Sequence, residues 1–208
     1  MRAAVLHGPG DVRLEQVPEP EIIEPTDAII RTAATCVCGS DLWTYRGVTT
    51  LRKPTPFGHE YCGVIEEIGA SVTTVKPGQF VIGSFLASDG TCSNCRNGLH
   101  TSCRKAVPVI GCQAELVRVP LADGTLVATP GHPPADLVPS LLTLSDVMGT
   151  GWFAAIAAKV APGMTVAVVG DGAVGLCAVL AAAQLGAARV IAMSRNPARQ
   201  AQFSCSGT

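Results

Sequence analysis

Residues 165–193 read TVAVVGDGAVGLCAVLAAAQLGAARVIAM, and this stretch decides the fold of the chain's second half. Thr165–Val169 is a short apolar run rich in valine, the pattern of a strand buried on both faces. Gly170, Gly172 and Gly175 then spell G-x-G-x-x-G, leading into an Ala-rich helical segment, Ala173–Leu185, and a second apolar run, Arg189–Met193. Strand, glycine loop, helix and strand make one βαβ unit, the building block of a parallel sheet. In that context each glycine has a task. The first permits the tight turn, the second lets backbone approach a pyrophosphate, and the third lets helix pack on strand. Ala173 and Val174 open the helix, whose N-terminal N–H groups carry the partial positive charge an anion needs. The spacing therefore predicts a dinucleotide site at Gly170, Gly172, Ala173, Val174 and Gly175.

The end of the second strand bears on which dinucleotide. An Asp or Glu there would hydrogen-bond the ribose 2′-hydroxyl of NAD. This chain has Ser194 followed by Arg195, with Arg199 four residues on. A small hydroxyl beside guanidinium groups accommodates a 2′-phosphate, so the reading favours NADP(H) over NAD(H).

Upstream the pattern differs. Val12, Leu14 and Gln16 alternate with Arg13, Glu15 and Val17, and the segments Ala28–Ile30, Val64–Ile68, Phe80–Ile82 and Leu116–Val119 are apolar runs separated by turn formers such as Lys76-Pro77-Gly78. Short strands at such intervals predict a partly closed antiparallel barrel. Near residue 140 helical patterns take over at Pro139–Leu144 and Gly151–Val160. The division expected is 1–148 for the strand-rich domain and 149–208 for the dinucleotide-binding part. The net charge of the 208 residues is −1, so nothing in it suggests a nucleic-acid or acidic-membrane partner, and none is expected. With 48% hydrophobic and 15% charged residues the chain has the composition of a folded core, not of a disordered segment. No apolar run reaches the roughly 18 residues of a membrane helix, so no membrane partner is expected.

Nine cysteines need an explanation. Without a signal-peptide pattern the expected setting is cytoplasmic, where metal binding is a commoner use of clustered thiols than disulfides. Cys92, Cys95 and Cys103 crowd one loop, and the C-x-x-C half is a zinc hook. Asp89 stands three residues before Cys92 and completes a set of four, with His100 the competing fourth ligand. A redox-active Cys92–Cys95 dithiol is disfavoured because no thioredoxin-like βαβ surrounds it. Cys36, Cys62, Cys112, Cys177 and Cys205 read as small hydrophobes. His7 and His132 read as surface residues without partners.

Cys38-Gly39-Ser40-Asp41, then Gly58-His59-Glu60, the cysteine loop and the glycine loop follow one another in an order that resembles the zinc-dependent medium-chain alcohol dehydrogenases, with features of the formaldehyde dehydrogenases. The resemblance implies a GroES-like, partly open β-barrel domain followed by an incomplete Rossmann βαβ unit. It implies a catalytic zinc held by Cys38, His59 and Asp146, a structural zinc at Asp89, Cys92, Cys95 and Cys103, and small alcohols or aldehydes as substrates. It further gives Glu60 a place near the metal during ligand exchange, Asp41 a hydrogen bond to His59, and Ser40 the relay of the alcohol proton. Two positions depart from the family pattern. Trp43 stands where some members continue the relay with a histidine, and Asp89 stands where the first loop cysteine belongs. Trp43 and Tyr45 are expected to narrow the pocket.

Family members are longer than 208 residues, so the sequence also reads as a truncated or frame-shifted product whose helical pattern fades after Ala201. A two-stranded parallel sheet leaves apolar surface and strand edges uncovered, so self-association is expected. The alternative function is a non-catalytic zinc-holding remnant that associates with a full-length homologue.

Overall fold

The computed structural model describes residues 1–50 and 53–204. Cys205, together with Ser206, Gly207 and Thr208, lies outside the described residues. Contacts divide the chain into two compact units, Met1–Ser145 and Asp146–Thr208.

The first unit opens with β1 (Arg2–Gly8) and β2 (Asp11–Gln16), a hairpin turned by Gly10 at φ 73°. Then come β3 (Ala28–Thr35), the short helix α1 (Asp41–Tyr45), β4 (Thr55–Pro56), β5 (Tyr61–Ile68) and β6 (Phe80–Gly83). Next are β7 (Leu86–Ala87), α2 (Ser93–Arg96), β8 (Val107–Pro108) and β9 (Leu116–Val119). The unit finishes with α3 (Ala122–Thr125), β10 (Leu126–Ala128), α4 (Val138–Leu142) and a 3₁₀ turn at Thr143–Ser145. An antiparallel sheet in the order β10-β6-β5-β3-β9 forms its centre, with a separate β2-β1-β4 sheet and a β7-β8 ribbon. The sheets do not close into a continuous barrel. An isolated bridge, Ala3 to Ala114, is what crosses towards the hairpin sheet.

The central sheet is buried on both faces, and the two-residue strand period sorts its side chains between them. Tyr61, Ile65 and Val81 join Ile30, Val117 and Val119 on one side. Cys62, Phe80 and Ile82 point the other way and meet Leu142 of α4. Gly83 is fixed by Tyr61, because a Cβ there would stand 2.0 Å from the tyrosine hydroxyl oxygen. Asp27 ties the entry of β3 to β9. It is fully buried, and its Oδ2 accepts N–H groups from Ile23 at 3.0 Å, Glu24 at 2.8 Å and Arg118 Nε at 2.6 Å.

Asp123 performs a similar tie in α3. Its carboxylate accepts the backbone N–H of Thr73 (2.9 Å) and Thr74 (3.0 Å) and both threonine hydroxyls, at 2.7 and 2.9 Å. Partial burial pushes its pKa up, but those donors outweigh burial and the net shift is below the usual 3.8. A depressed folded pKa stabilises the fold above the unfolded value and loses that contribution as pH falls through the folded value. Asp123→Asn should lower the melting temperature at neutral pH and shrink its fall below about pH 4, which calorimetry at stepped pH would read. A variant melting profile parallel to the parent's would dismiss the tie.

The second unit contains α5 (Val147–Ala157), β11 (Thr165–Val169), α6 (Ala173–Gln184), β12 (Arg189–Met193) and α7 (Pro197–Ser204). β11 and β12 run parallel, Thr165 opposite Arg189 and Val169 opposite Met193. The third glycine of the motif is sterically required: a Cβ on Gly175 would lie 2.2 Å from the Gly170 carbonyl oxygen. Gly151 plays the same part between α5 and α6, where a Cβ would meet Ala178 N at 2.7 Å. Gly186, at φ 88°, ends α6 in the left-handed conformation that terminates many helices. Two expectations change here. β11 is not buried on both faces; its residues alternate between exposed and half-buried, Val169 being 82% exposed, because one helix cannot cover both sides of a two-stranded sheet. The last helix continues past Ala201 to Ser204, in keeping with the helix-forming Gln202 that follows it.

Candidate active site and metal centres

Strand pairing assembles the first cluster. β3 and β5 are antiparallel with Thr35 opposite Tyr61, so the chain leaving β3 and the chain entering β5 meet at one end of the sheet. Cys38 follows β3 and His59 precedes β5, which brings residues 21 positions apart in sequence to one place. One ligand atom each of Cys38, His59 and Glu60 lies within 4.8 Å of the others. Asp41, the first residue of α1, holds both sides. Its Oδ2 accepts the Cys38 N–H at 2.9 Å and its Oδ1 lies 3.0 Å from His59 Nδ1. That contact engages Nδ1 and leaves Nε2 directed at the cluster, 3.5 Å from Ser40 Oγ and 4.0 Å from Glu60 Oε1. Gly58 supplies the bend before His59, at φ 83° and with Gln113 Cγ only 2.6 Å from where a Cβ would stand.

Glu60 is the deepest member, 1% exposed. Its Oε2 accepts the Cys36 thiol at 3.2 Å, while Oε1 has no hydrogen-bond partner among the described residues. A buried carboxylate oxygen without a donor is costly unless a cation answers it. Together with a thiol and an imidazole whose far nitrogen is anchored by a carboxylate, it fits a zinc ion. Cys36 is thus not a bystander. Burial first, then its bond to Glu60, pushes its thiol up to about 12. The signal was its place two residues before Cys38, the same face of an extended chain.

A cleft of about 280 Å³ opens beside His59 and Ser40, walled by Leu6, Thr44, Phe57 and Ile110. Trp43 and Tyr45 do not wall it. Trp43, 59% exposed, lines a different hollow with Leu42 and Arg46. Asp146 caps α5 in the second unit, where Thr150 Oγ1 donates to its Oδ1 at 2.8 Å.

The second cluster lies in the lobe closed by the β7–β8 ribbon. Asp89, Cys92, Cys95 and Cys103 each place one ligand atom within 4.8 Å of the other three. Cys92 Sγ is 3.5 Å from Cys95 Sγ and 3.9 Å from Cys103 Sγ, and Asp89 Oδ1 is 3.4 Å from Cys95 Sγ. Three thiols and a carboxylate at this spacing match a four-coordinate zinc site. The thiols differ: the Arg104 N–H leads the hydrogen bonds that bring Cys92 down to about 7, whereas burial first pushes Cys95 up to about 12. Cys103 Sγ accepts the Lys105 N–H at 3.3 Å. The Asp89 carboxyl is held well below the usual range by the N–H groups of Cys92 and Thr91. His100 stands outside the group; its Nδ1 is 3.0 Å from Ser88 Oγ.

The two isolated histidines have partners after all. His7 Nε2 lies 2.6 Å from Glu15 Oε1 across the β1–β2 hairpin, and His132 Nε2 lies 2.9 Å from the Gly78 carbonyl oxygen. Both pairings join residues distant in the local pattern, so the sequence carried no sign of them.

Residues 24–131 match the alcohol dehydrogenase GroES-like domain. The chain belongs to that family. A zinc-type alcohol dehydrogenase B from Aspergillus flavus is 35% identical over 96% of this chain and 48% of its own length. A glutathione-independent formaldehyde dehydrogenase from Pseudomonas aeruginosa is 36% identical over 99% of this chain and 57% of its own. Among solved structures, an alcohol dehydrogenase from Thermus sp. ATN1 superimposes with a TM-score of 0.91 at 31% identity, covering 100% of this chain and 62% of that one. The chain thus spans about half the length of the curated relatives it matches. Among its described residues no single helix is long and apolar enough to cross a membrane.

Proposed function

We propose that this chain carries the catalytic domain of a zinc-dependent dehydrogenase that moves a hydride between a small alcohol or aldehyde and a nicotinamide dinucleotide. The observation that carries the reading is His59, pinned through Nδ1 by Asp41 at 3.0 Å while Nε2 faces Cys38 and the buried Glu60. Cys38 and His59 are two zinc ligands, and the family resemblance assigns Asp146 as the third. Bound zinc would lower the pKa of an alcohol hydroxyl towards neutrality, and the dinucleotide would accept the hydride.

The chain's own residues do the rest. Asp41 fixes the ring and tautomer of His59. Ser40 Oγ sits at the exposed rim of the cleft and passes the alcohol proton straight to water, which makes a histidine at position 43 unnecessary. Glu60 supplies a buried negative charge beside the metal. Thr44, Phe57 and Ile110 confine a space of about 280 Å³, below the usual range for drug-sized ligands and suited to small substrates. Asp89, Cys92, Cys95 and Cys103 hold the structural zinc, and three adjacent thiols suit a reducing, cytoplasmic compartment. The N–H groups of α6 and the open sides of Gly170 and Gly172 receive the pyrophosphate. Ser194, Arg195 and Arg199 tilt the choice towards NADP(H).

Fluorescence titration of NADPH and NADH into the zinc-loaded chain tests this, with sizing chromatography of the same samples. Saturable binding, tighter for NADPH, is expected, and the exposed face of β11 and β12 predicts oligomers on the column. Failure of both nucleotides to bind would reduce the chain to a zinc-holding relative of the dehydrogenases.

A further inference from the structure

Asp171 lies between the first two glycines of the loop, yet its carboxylate reaches the end of the second parallel strand. There Ser194, the residue after β12, donates its hydroxyl to Asp171 Oδ2, and Arg199 Nη1 lies 3.2 Å from Oδ1. Arg199 Nη1 also reaches the Asp171 carbonyl oxygen at 3.5 Å. The carboxylate that dinucleotide sites usually place at the end of the second strand is therefore supplied here from the first loop. We propose that Asp171 is a cofactor-discriminating residue, holding Arg199 away from a ribose 2′-phosphate and offering its own oxygens to a 2′-hydroxyl. The proposal rests on the reading of the glycine loop as a nicotinamide-dinucleotide site.

The electrostatics oppose one another at this spot. Arg195 and Arg199 attract a 2′-phosphate, but a phosphate arriving at Ser194 meets the Asp171 charge and finds Arg199 already paired. Side chains of Asp171 and Arg199 are 18% and 51% exposed, so the pair can open, at the cost of a partly solvated ion pair. An uncharged ribose hydroxyl needs no such opening and can donate to Asp171. Arginines alone would give strong NADP(H) selectivity; with Asp171 present the preference is blunted.

Asp171→Asn keeps the size and an acceptor for Ser194 and removes only the charge. NADPH and NADH are titrated by fluorescence into the zinc-loaded parent chain, Asp171→Asn and Arg199→Gln. Asp171→Asn should tighten NADPH relative to NADH by about fivefold, the scale of releasing one exposed ion pair. Arg199→Gln should weaken NADPH and leave NADH close to the parent value. If both nucleotides bind but Asp171→Asn leaves their affinity ratio unchanged, or weakens both equally, Asp171 merely braces the loop and the proposal falls. If neither nucleotide binds any of the three proteins, the dinucleotide reading itself fails and takes the proposal with it.

Discussion

Replacing Cys38 with Ser should empty one of two zinc sites and leave the other filled. The two clusters draw on separate elements: Cys38 and His59 sit where β3 ends and β5 begins, while Cys92, Cys95 and Cys103 belong to the lobe beyond β7. A serine hydroxyl cannot replace a thiolate as a zinc ligand at neutral pH, since its proton does not leave. Zinc counted by elemental analysis should fall from two ions per chain to one. Any alcohol-dependent turnover should fall by about a thousandfold or more, because a Lewis acid at the reacting oxygen is worth several kcal/mol. Cobalt substitution separates folding from ligation: a thiolate–cobalt band from the cysteine lobe that survives in Cys38→Ser shows an intact fold. Loss of both metals together would mean that the two clusters are not independent sites.

What the sequence disclosed of this centre was its donor chemistry, and what it withheld was the company those donors keep. Cys38, His59 and Asp41 were readable through the family resemblance that the runs Cys38-Gly39-Ser40-Asp41 and Gly58-His59-Glu60 carry. The juxtaposition depends on the register of β3 against β5, with an irregularity between Thr32 and Ala34, and no local pattern encodes that. The same register turns Cys36 towards Glu60, so a residue that reads as a small hydrophobe becomes the partner of the buried carboxylate. Trp43 shows the opposite error. It was expected to narrow the pocket, yet the α1 residues that line the cleft are Asp41 and Thr44. The βαβ unit was the most legible part, since its glycines answer to sterics within a few residues. The reach of Asp171 to Ser194 joins residues 23 apart and appears only once β11 and β12 are paired.

The cysteine lobe offers the sharpest contrast between local geometry and stability. Residues 88–106 are closed by a ribbon of only two residue pairs, Leu86 with Pro108 and Ala87 with Val107. Between these strands lie a four-residue helix, a 3₁₀ turn and few buried apolar side chains, Cys95 and Cys103 among them. Such a segment cannot order itself by burial, so the metal must supply its organisation. Cys103→Ala removes the last donor in the lobe, the one whose sulfur also accepts the Asp89 N–H at 3.4 Å. Zinc affinity at this site should drop more than about 100-fold, beyond what loss of a supporting group around a metal costs. Limited proteolysis should then cut between Ala87 and Val107 while the five-stranded sheet stays intact. His100→Ala is the control: with its ring turned to Ser88, it should leave the zinc in place. Asp89→Cys should act in the opposite sense, adding a fourth thiolate and tightening the site, as the softer donor set for zinc requires. A Cys103→Ala chain that still holds this zinc against a chelator as firmly as the parent would show that Asp89, Cys92 and Cys95 suffice. A weakened site in His100→Ala would instead return His100 to the ligand set.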